Sequence, residues 1–379
     1  MPTPLLALIA DRIRRDGPIT VAEYVEIALY HPEHGYYSSA ARRSGRGGDF
    51  FTSVDLGPLF GELLASQAAE MLGLLGDPPF DLVEAAAGNG RLSRDILDHL
   101  QLVAPGRCAA TRLHLVERSP EARAAQQAAL GRHAARLAAS VPSLEGLGPI
   151  RGIVLANELL DALPPHLVVM REGGLREVRV ALGPDGALTT MEAPPSSPEL
   201  QAHLERAGAR LEPGWFAEVN LAATRWIRQA AALLERGFLL LLDYGCEAAD
   251  LYSARRAGGT LTAFRRHASE ARAAGPAWLR DPGERDITSH VDLTSVRRAA
   301  EAAGLDTLGI VDQSYFLLAL AAQAGNTAPA GDPPPLRRRL ALKTLVLPGG
   351  MGSTHKAIVF GRGVGRPLLA GLRGGGRLT

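Results

Sequence analysis

Apolar positions recur along the chain in two rhythms. Near its start, Leu5, Leu6, Leu8 and Ile9, then Val21, Val25 and Leu29, fall close to helical spacing and predict helices within residues 3–48. Pro32 and Gly35 break that pattern, and the polar, glycine-rich stretch ARRSGRGGD (41–49) predicts a loop. A helix is expected over 58–75 from Leu59, Leu63, Ala65, Ala69 and Leu72. Short strands are expected at 80–86, 112–116, 153–156, 238–242 and 305–311, and Phe238 to Leu242 is a continuous apolar run. Helical patterns separate them from Leu92 onward, from Pro120 to about Leu137, over the face marked by Val219 to Leu234, and at 293–303. Strands alternating with helices predict an α/β fold with a parallel sheet covered by helices. Gly237 reads as the C-terminal cap of the helix before the 238–242 strand.

The rhythm changes twice. Residues 167–192 alternate loosely around Gly173-Gly174 and Pro184-Asp185-Gly186, which predicts antiparallel hairpins. Residues 246–290 are polar and poor in regular pattern and read as a second insertion. The last 19 residues hold seven glycines and four arginines and read as a flexible tail.

Composition narrows the class. The chain has 379 residues, 46% hydrophobic and 21% charged, which excludes a wholly disordered or collagen-like protein. The formal charge of +1 gives no field to draw nucleic acid to the whole molecule. No apolar run approaches the roughly 20 residues of a membrane-spanning helix. Cys108 and Cys246 show no CxxC spacing and the N-terminus lacks a presequence pattern, so no metal site and a cytoplasmic location are expected.

Chemistry concentrates where the strands end. In open parallel sheets, ligands gather beyond the carboxyl ends of the strands. Glu84, Glu117, Asn157-Glu158 and Asp243 stand at those ends, and a small turn, A-A-A-G-N-G, follows the first of them. That turn lacks the GxGxxG of a dinucleotide enzyme. Glu84, Gly88, Gly90 and Glu117 instead suit a nucleoside such as S-adenosylmethionine, with Glu117 accepting from two ribose hydroxyls, and Asn89 between the glycines is counted with the cofactor-binding turn. A tight structural turn is the plain alternative.

The segments TVAEYVEIALYHPEHGYY, GDFFTSVDLGPLFGELLASQ, LVEAAAGNGRLSRDIL, HLVERSPEARAAQ, ANELLDALPPH, DYG, GTLTAFRRH, DITSHVDL, DQSYFLLAL and MGSTHKAIVF occur in that order between about Thr20 and Phe360. Together they resemble the MidA-like family of S-adenosylmethionine-dependent methyltransferases, which includes the mitochondrial complex I assembly arginine methyltransferase. The resemblance implies a class I methyltransferase Rossmann-like sheet with an N-terminal helical segment and an inserted α+β substrate region. It implies S-adenosylmethionine as cofactor and a protein partner, such as a respiratory complex subunit, methylated on arginine. Nucleic acid and membrane insertion are not expected, and a homodimer is kept as an assembly to test.

On that basis residues 1–57 form a helical and lid segment. Residues 58–164, 215–246 and 291–360 form the core, 165–214 and 247–290 the inserted region, and 361–379 the tail. The family resemblance implies that Asp49, Phe50, Thr52 and Ser53 cover the cofactor pocket. Three departures stand out: Ala86 at the first glycine of the family's E-x-G-x-G-x-G turn, Asp55 in place of Glu, and Gln67 where an aromatic is common. Glu158 and Asp161 are three apart, so one helical turn would align them to orient a nucleophile, with Asn157 beside the methionine portion of the cofactor. Asp161 bracing a loop is the plain alternative. Asp292 or Thr294 is expected to cap the next helix, with His290 as a polar wall. Alternatives to protein methylation are a small-molecule methyltransferase on the same fold and a cofactor-binding assembly factor without activity.

Overall fold

The computed structural model describes residues 3–39, 53–264, 276–327, 336–346 and 355–373. Along the chain these form α1 (Pro4–Asp16), β1 (Ile19–Thr20), α2 (Val21–Tyr30), α3 (Tyr36–Ser39), α4 (Leu59–Leu74), β2 (Phe80–Ala85), α5 (Arg91–Val103), α6 (Pro105–Ala109), β3 (Thr111–Val116), α7 (Pro120–Leu130), β4 (Leu137–Val141) and β5 (Ile150–Asn157). There follow β6 (His166–Arg171), β7 (Gly174–Leu182), β8 (Leu188–Ala193), α8 (Glu199–Ala207), β9 (Phe216–Val219), α9 (Leu221–Leu233), β10 (Leu234–Cys246), α10 (Ala248–Leu251), β11 (Thr262–Phe264), β12 (Asp286–Thr288) and β13 (Val291–Asp292). The chain continues through α11 (Leu293–Ala302), β14 (Asp306–Asp312), α12 (Gln313–Thr327), α13 (Leu336–Val346) and β15 (His355–Arg362).

Two compact units divide these elements. The larger comprises Thr52–Leu159, Ile227–Tyr244 and Ala299–Thr379. Its sheet runs β14-β15-β10-β5-β2-β3-β4, with β15 antiparallel to both neighbours and every other pairing parallel. Strands covered on both faces read as near-continuous apolar runs. Phe238 to Leu242 in β10 are accordingly 0–3% exposed, and each such side chain contributes roughly 1.5–3 kcal/mol by burial. Gly237 lies inside β10 and does not cap a helix. A Cβ there would stand 1.9 Å from the Gly152 carbonyl oxygen of β5, so close strand approach explains this glycine.

The class I architecture expected from the sequence is present, with two strands beyond those predicted. The predicted helix from Pro120 stops at Leu130, and β4 follows after a 3-10 turn. The other addition is β15. Residues 361–373 do not behave as a loose tail. Leu369 is fully buried, and the 370–372 turn is held by Gln67 Oε1, which accepts from Gly371 N at 2.9 Å, and by Glu70, which accepts from Ala370 N at 2.8 Å. A polar Gln67 in place of an aromatic therefore has a structural partner in this chain.

The second unit comprises Met1–Phe51, Leu160–Trp226 and Gly245–Arg298. Its sheet has the order β1-β7-β6-β9, with β8 on β7, all antiparallel, and the predicted hairpins are β6, β7 and β8. The N-terminal helices belong here because their apolar faces, including Leu5, Ile9, Val21 and Tyr24, pack with Val169, Val178 and Val180 of β6 and β7. That packing places the start of the chain with the inserted region, a grouping the sequence division did not anticipate. At the start of α11, Asp292 Oδ1 accepts from Ser295 N at 3.1 Å, as its capping role predicts. Among the described residues no helix is long and apolar enough to cross a membrane.

Candidate functional site

The larger unit builds its polar cluster where β2, β3 and β5 end. After β2 the backbone turns left-handed three times in five residues, at Ala86 (φ 55°), Gly88 (φ 50°) and Gly90 (φ 82°). A side chain in that region costs about 1–2 kcal/mol, so the turn carries strain at Ala86. A Cβ built on Gly88 would meet no atom within 4 Å, which leaves its surface open to a ligand. Gly90 begins α5, and Asn89 Oδ1 accepts from Arg91 N at 3.2 Å.

Two carboxylates set this turn. Glu117, just past β3, accepts from Gly88 N at 2.9 Å and from Ser119 N at 2.8 Å. Gln126 fixes the other side of the same glycine, donating to its carbonyl at 2.8 Å. Glu84 is 4% exposed and accepts from Ser93 N at 3.0 Å and from the Ser93 hydroxyl. Burial pushes its pKa up to about 8; the Ser93 bonds oppose that rise, and Glu117 and Asp95 add to it. Glu84 therefore braces the first turn of α5 from beneath.

At the end of β5 the chain bends sharply. Glu158 has φ 51°, while its N–H donates to Leu242 O at 2.8 Å. The next amide, Leu159 N, donates at 3.1 Å to Asp243, a carboxylate 1% exposed that also accepts from Tyr244 N at 2.9 Å. Glu158 Oε1 accepts from Asn157 Nδ2 at 3.3 Å and from Ser53 N at 3.4 Å. Asn157 Oδ1 is buried and has no hydrogen-bond partner among the described residues. Arg91 secures the 53–56 turn through Val54 O at 2.5 Å and Asp55 at 2.8 Å, a bond the shorter Asp55 still makes.

Glu84, Gly88, Asn89, Gly90, Glu117, Asn157, Glu158 and Ser53 thus all lie in one unit at neighbouring strand ends. Asp49, Phe50 and Thr52 lie outside the described residues. The helical alignment of Glu158 with Asp161 is not formed, because the left-handed residue 158 precedes the 3-10 turn, which runs only over Leu160–Ala162. Asp161 belongs to the second unit, where its carboxylate accepts from the Thr288 hydroxyl at 2.8 Å and its carbonyl from Ser289 N at 3.2 Å. Those bonds match the bracing alternative. The role of Asp243 in holding Glu158 was not assigned from sequence, although its place at a strand end was visible.

A family model for S-adenosyl-L-methionine-dependent methyltransferases matches residues 63–311. The chain is 31% identical to the protein arginine methyltransferase NDUFAF7 homolog, mitochondrial, of Drosophila melanogaster, over 83% of this chain and 74% of that protein. It is 29% identical to the mitochondrial NDUFAF7 arginine methyltransferase of Mus musculus, over 83% and 73%. Among solved structures, a COG1565 superfamily member from Burkholderia thailandensis bound to S-adenosyl-homocysteine superposes with a TM-score of 0.86 at 31% identity, covering 99% of this chain and 98% of that one. The comparisons correct one expectation: these arginine methyltransferase relatives are named as mitochondrial proteins, so the cytoplasmic placement does not stand.

Proposed function

Because the chain belongs to the S-adenosyl-L-methionine-dependent methyltransferase family, we propose that its strand-end site methylates an arginine side chain of a protein. The cofactor is S-adenosylmethionine, which supplies a methyl group on a positively charged sulfur. The residues fit that group: the open face of Gly88 admits close approach, Glu117 stands beside the turn, and the unpartnered Asn157 oxygen offers an acceptor.

A guanidinium keeps its proton up to about pH 12 and offers no ready lone pair. A protein that methylates it must grip the group, orient one nitrogen and accept, on a carboxylate, the proton that this nitrogen gives up as it gains the methyl. Glu158 is the carboxylate placed for this work. Its left-handed backbone is held by Leu242 O and Asp243, and its oxygen by Asn157 and Ser53, so little reorganisation remains. The acceptor-only chemistry of the Glu158 carboxylate suits a donor-only guanidinium, while Asn157 Oδ1 is the acceptor left for the cofactor. The fixed Glu158 beside an open Asn157 oxygen is the observation that carries this reading.

The test is Glu158→Gln. Labelled methyl transfer from S-adenosylmethionine into cell lysate protein is expected to vanish, while S-adenosyl-homocysteine still binds by calorimetry. Wild-type label is expected on methylarginine after hydrolysis, and complex I subunits are the first purified targets to offer. Undiminished transfer by the variant would remove Glu158 from the reaction, and label on another residue would remove arginine.

A further inference from the structure

Three glutamines are fully buried among the described residues: Gln67, Gln126 and Gln313. A buried amide normally satisfies both its ends, and two of these do. Gln67 donates to Glu70 at 2.9 Å and accepts from Gly371 N at 2.9 Å. Gln126 donates to Gly88 O at 2.8 Å and accepts from the Ser140 hydroxyl at 2.7 Å. Gln313 differs: its Nε2 donates to Ser53 Oγ at 3.4 Å, and its Oε1 has no partner among the described residues. Turning the amide over would leave a buried NH2 open instead, so one end waits for a partner in either setting.

The position of Gln313 gives the open end meaning. It follows Asp312, the last residue of β14, and β14 runs parallel to β10 and β5 because each is linked through antiparallel β15 or direct parallel pairing. Its side chain therefore starts from the same sheet edge as Asn157 and Asp243. A continuous line of hydrogen bonds joins it to the site, from Gln313 through Ser53 to Glu158 and Asn157. That line has an open carbonyl oxygen at each end, on Gln313 and on Asn157.

We propose that Gln313 is a ligand-contacting residue of the methyl-transfer site, its Oε1 accepting a hydrogen bond from a cationic nitrogen donor. The nature of the donor rests on the reading above: it is the ammonium group of the cofactor's methionine part or the guanidinium of the acceptor. Each shares the chemistry of a charged N–H group, and the loss of such a bond weakens binding roughly tenfold or more.

The experiment compares the full chain with Gln313→Met, which keeps length and removes both polar ends, and Gln313→Glu, which keeps an acceptor. Calorimetry with S-adenosyl-homocysteine reads the first donor, and total label transfer into lysate protein at saturating S-adenosylmethionine reads the second. A roughly tenfold loss of S-adenosyl-homocysteine affinity in Gln313→Met, restored in Gln313→Glu, assigns the cofactor ammonium. Unchanged affinity with a tenfold fall in transfer, again restored by Glu, assigns the acceptor. Wild-type values for Gln313→Met in both assays overturn the proposal. So does equal damage in both variants with a matching fall in melting temperature, the signature of a packing role alone. Total label is read before its chemical form, so a failure of the arginine reading shows separately, as label on another residue.

Discussion

Replacing Glu84 by glutamine is expected to flatten the pH dependence of stability. Folded, this carboxyl has its pKa raised by burial to about 8, against an ordinary 4.5. Between those values the folded chain holds a proton that the unfolded chain has released. Stability therefore falls as pH rises from about 4.5 and levels off above about 8, the reverse of an acid with a depressed pKa. At about 1.4 kcal/mol for each pH unit, the whole window is worth at most about 5 kcal/mol. Glutamine mimics the protonated form: it has one oxygen for the Ser93 N–H and hydroxyl and one donor end. Urea unfolding of both proteins from pH 5 to pH 9 isolates the contribution of this one group, since other titrations cancel in the difference. The two should agree near pH 5, with the variant gaining a lead of a few kcal/mol by pH 8.5. Parallel curves across that range would refute the claim that Glu84 is protonated in the folded chain.

Two further substitutions probe strain. Ala86→Gly relieves a φ of 55° at an exposed position, offsetting about 1 kcal/mol of backbone strain against the greater freedom of glycine in the unfolded chain. Its urea midpoint should hold or rise and S-adenosyl-homocysteine should bind at least as tightly, whereas Ala86→Val should lose more than about 1 kcal/mol; a glycine variant that is clearly less stable contradicts this account. Asp243→Ala removes the acceptor for Leu159 N and Tyr244 N, a loss of about 2–4 kcal/mol. Label transfer should drop tenfold or more with S-adenosyl-homocysteine affinity within about threefold, and unchanged transfer would show that Glu158 keeps its geometry without Asp243.

The limits of what the sequence displays follow from how each feature is encoded. Glu117 and Asn157 were legible because each is the polar residue that ends a mainly apolar strand segment, and Glu84 because it stands just before the small turn that closes β2. The same logic located β2, β3, β5, β10 and β14. It failed for β4, whose residues, LAASV, alternate between partly and fully exposed and carry little apolar signal. It also failed for Gly237, where one residue type serves both a helix cap and a close strand contact, and only the neighbouring Gly152 decides.

The distinction between Glu158 and Asp161 marks a deeper boundary. Spacing of three residues predicts a shared face only if the backbone between them is helical, and one left-handed residue cancels that inference. Nothing in the string NELLD announces φ 51° at a glutamate. The conformation is imposed by partners 84 residues on, through the Leu242 carbonyl and the Asp243 carboxylate. Gln313 is hidden for the same reason: its meaning lies in Ser53, 260 residues away, and in an oxygen left without a donor. The residues that hold a reacting group in place are thus the ones a linear pattern conceals, because their function is defined by the strand edge they share and not by their neighbours in sequence.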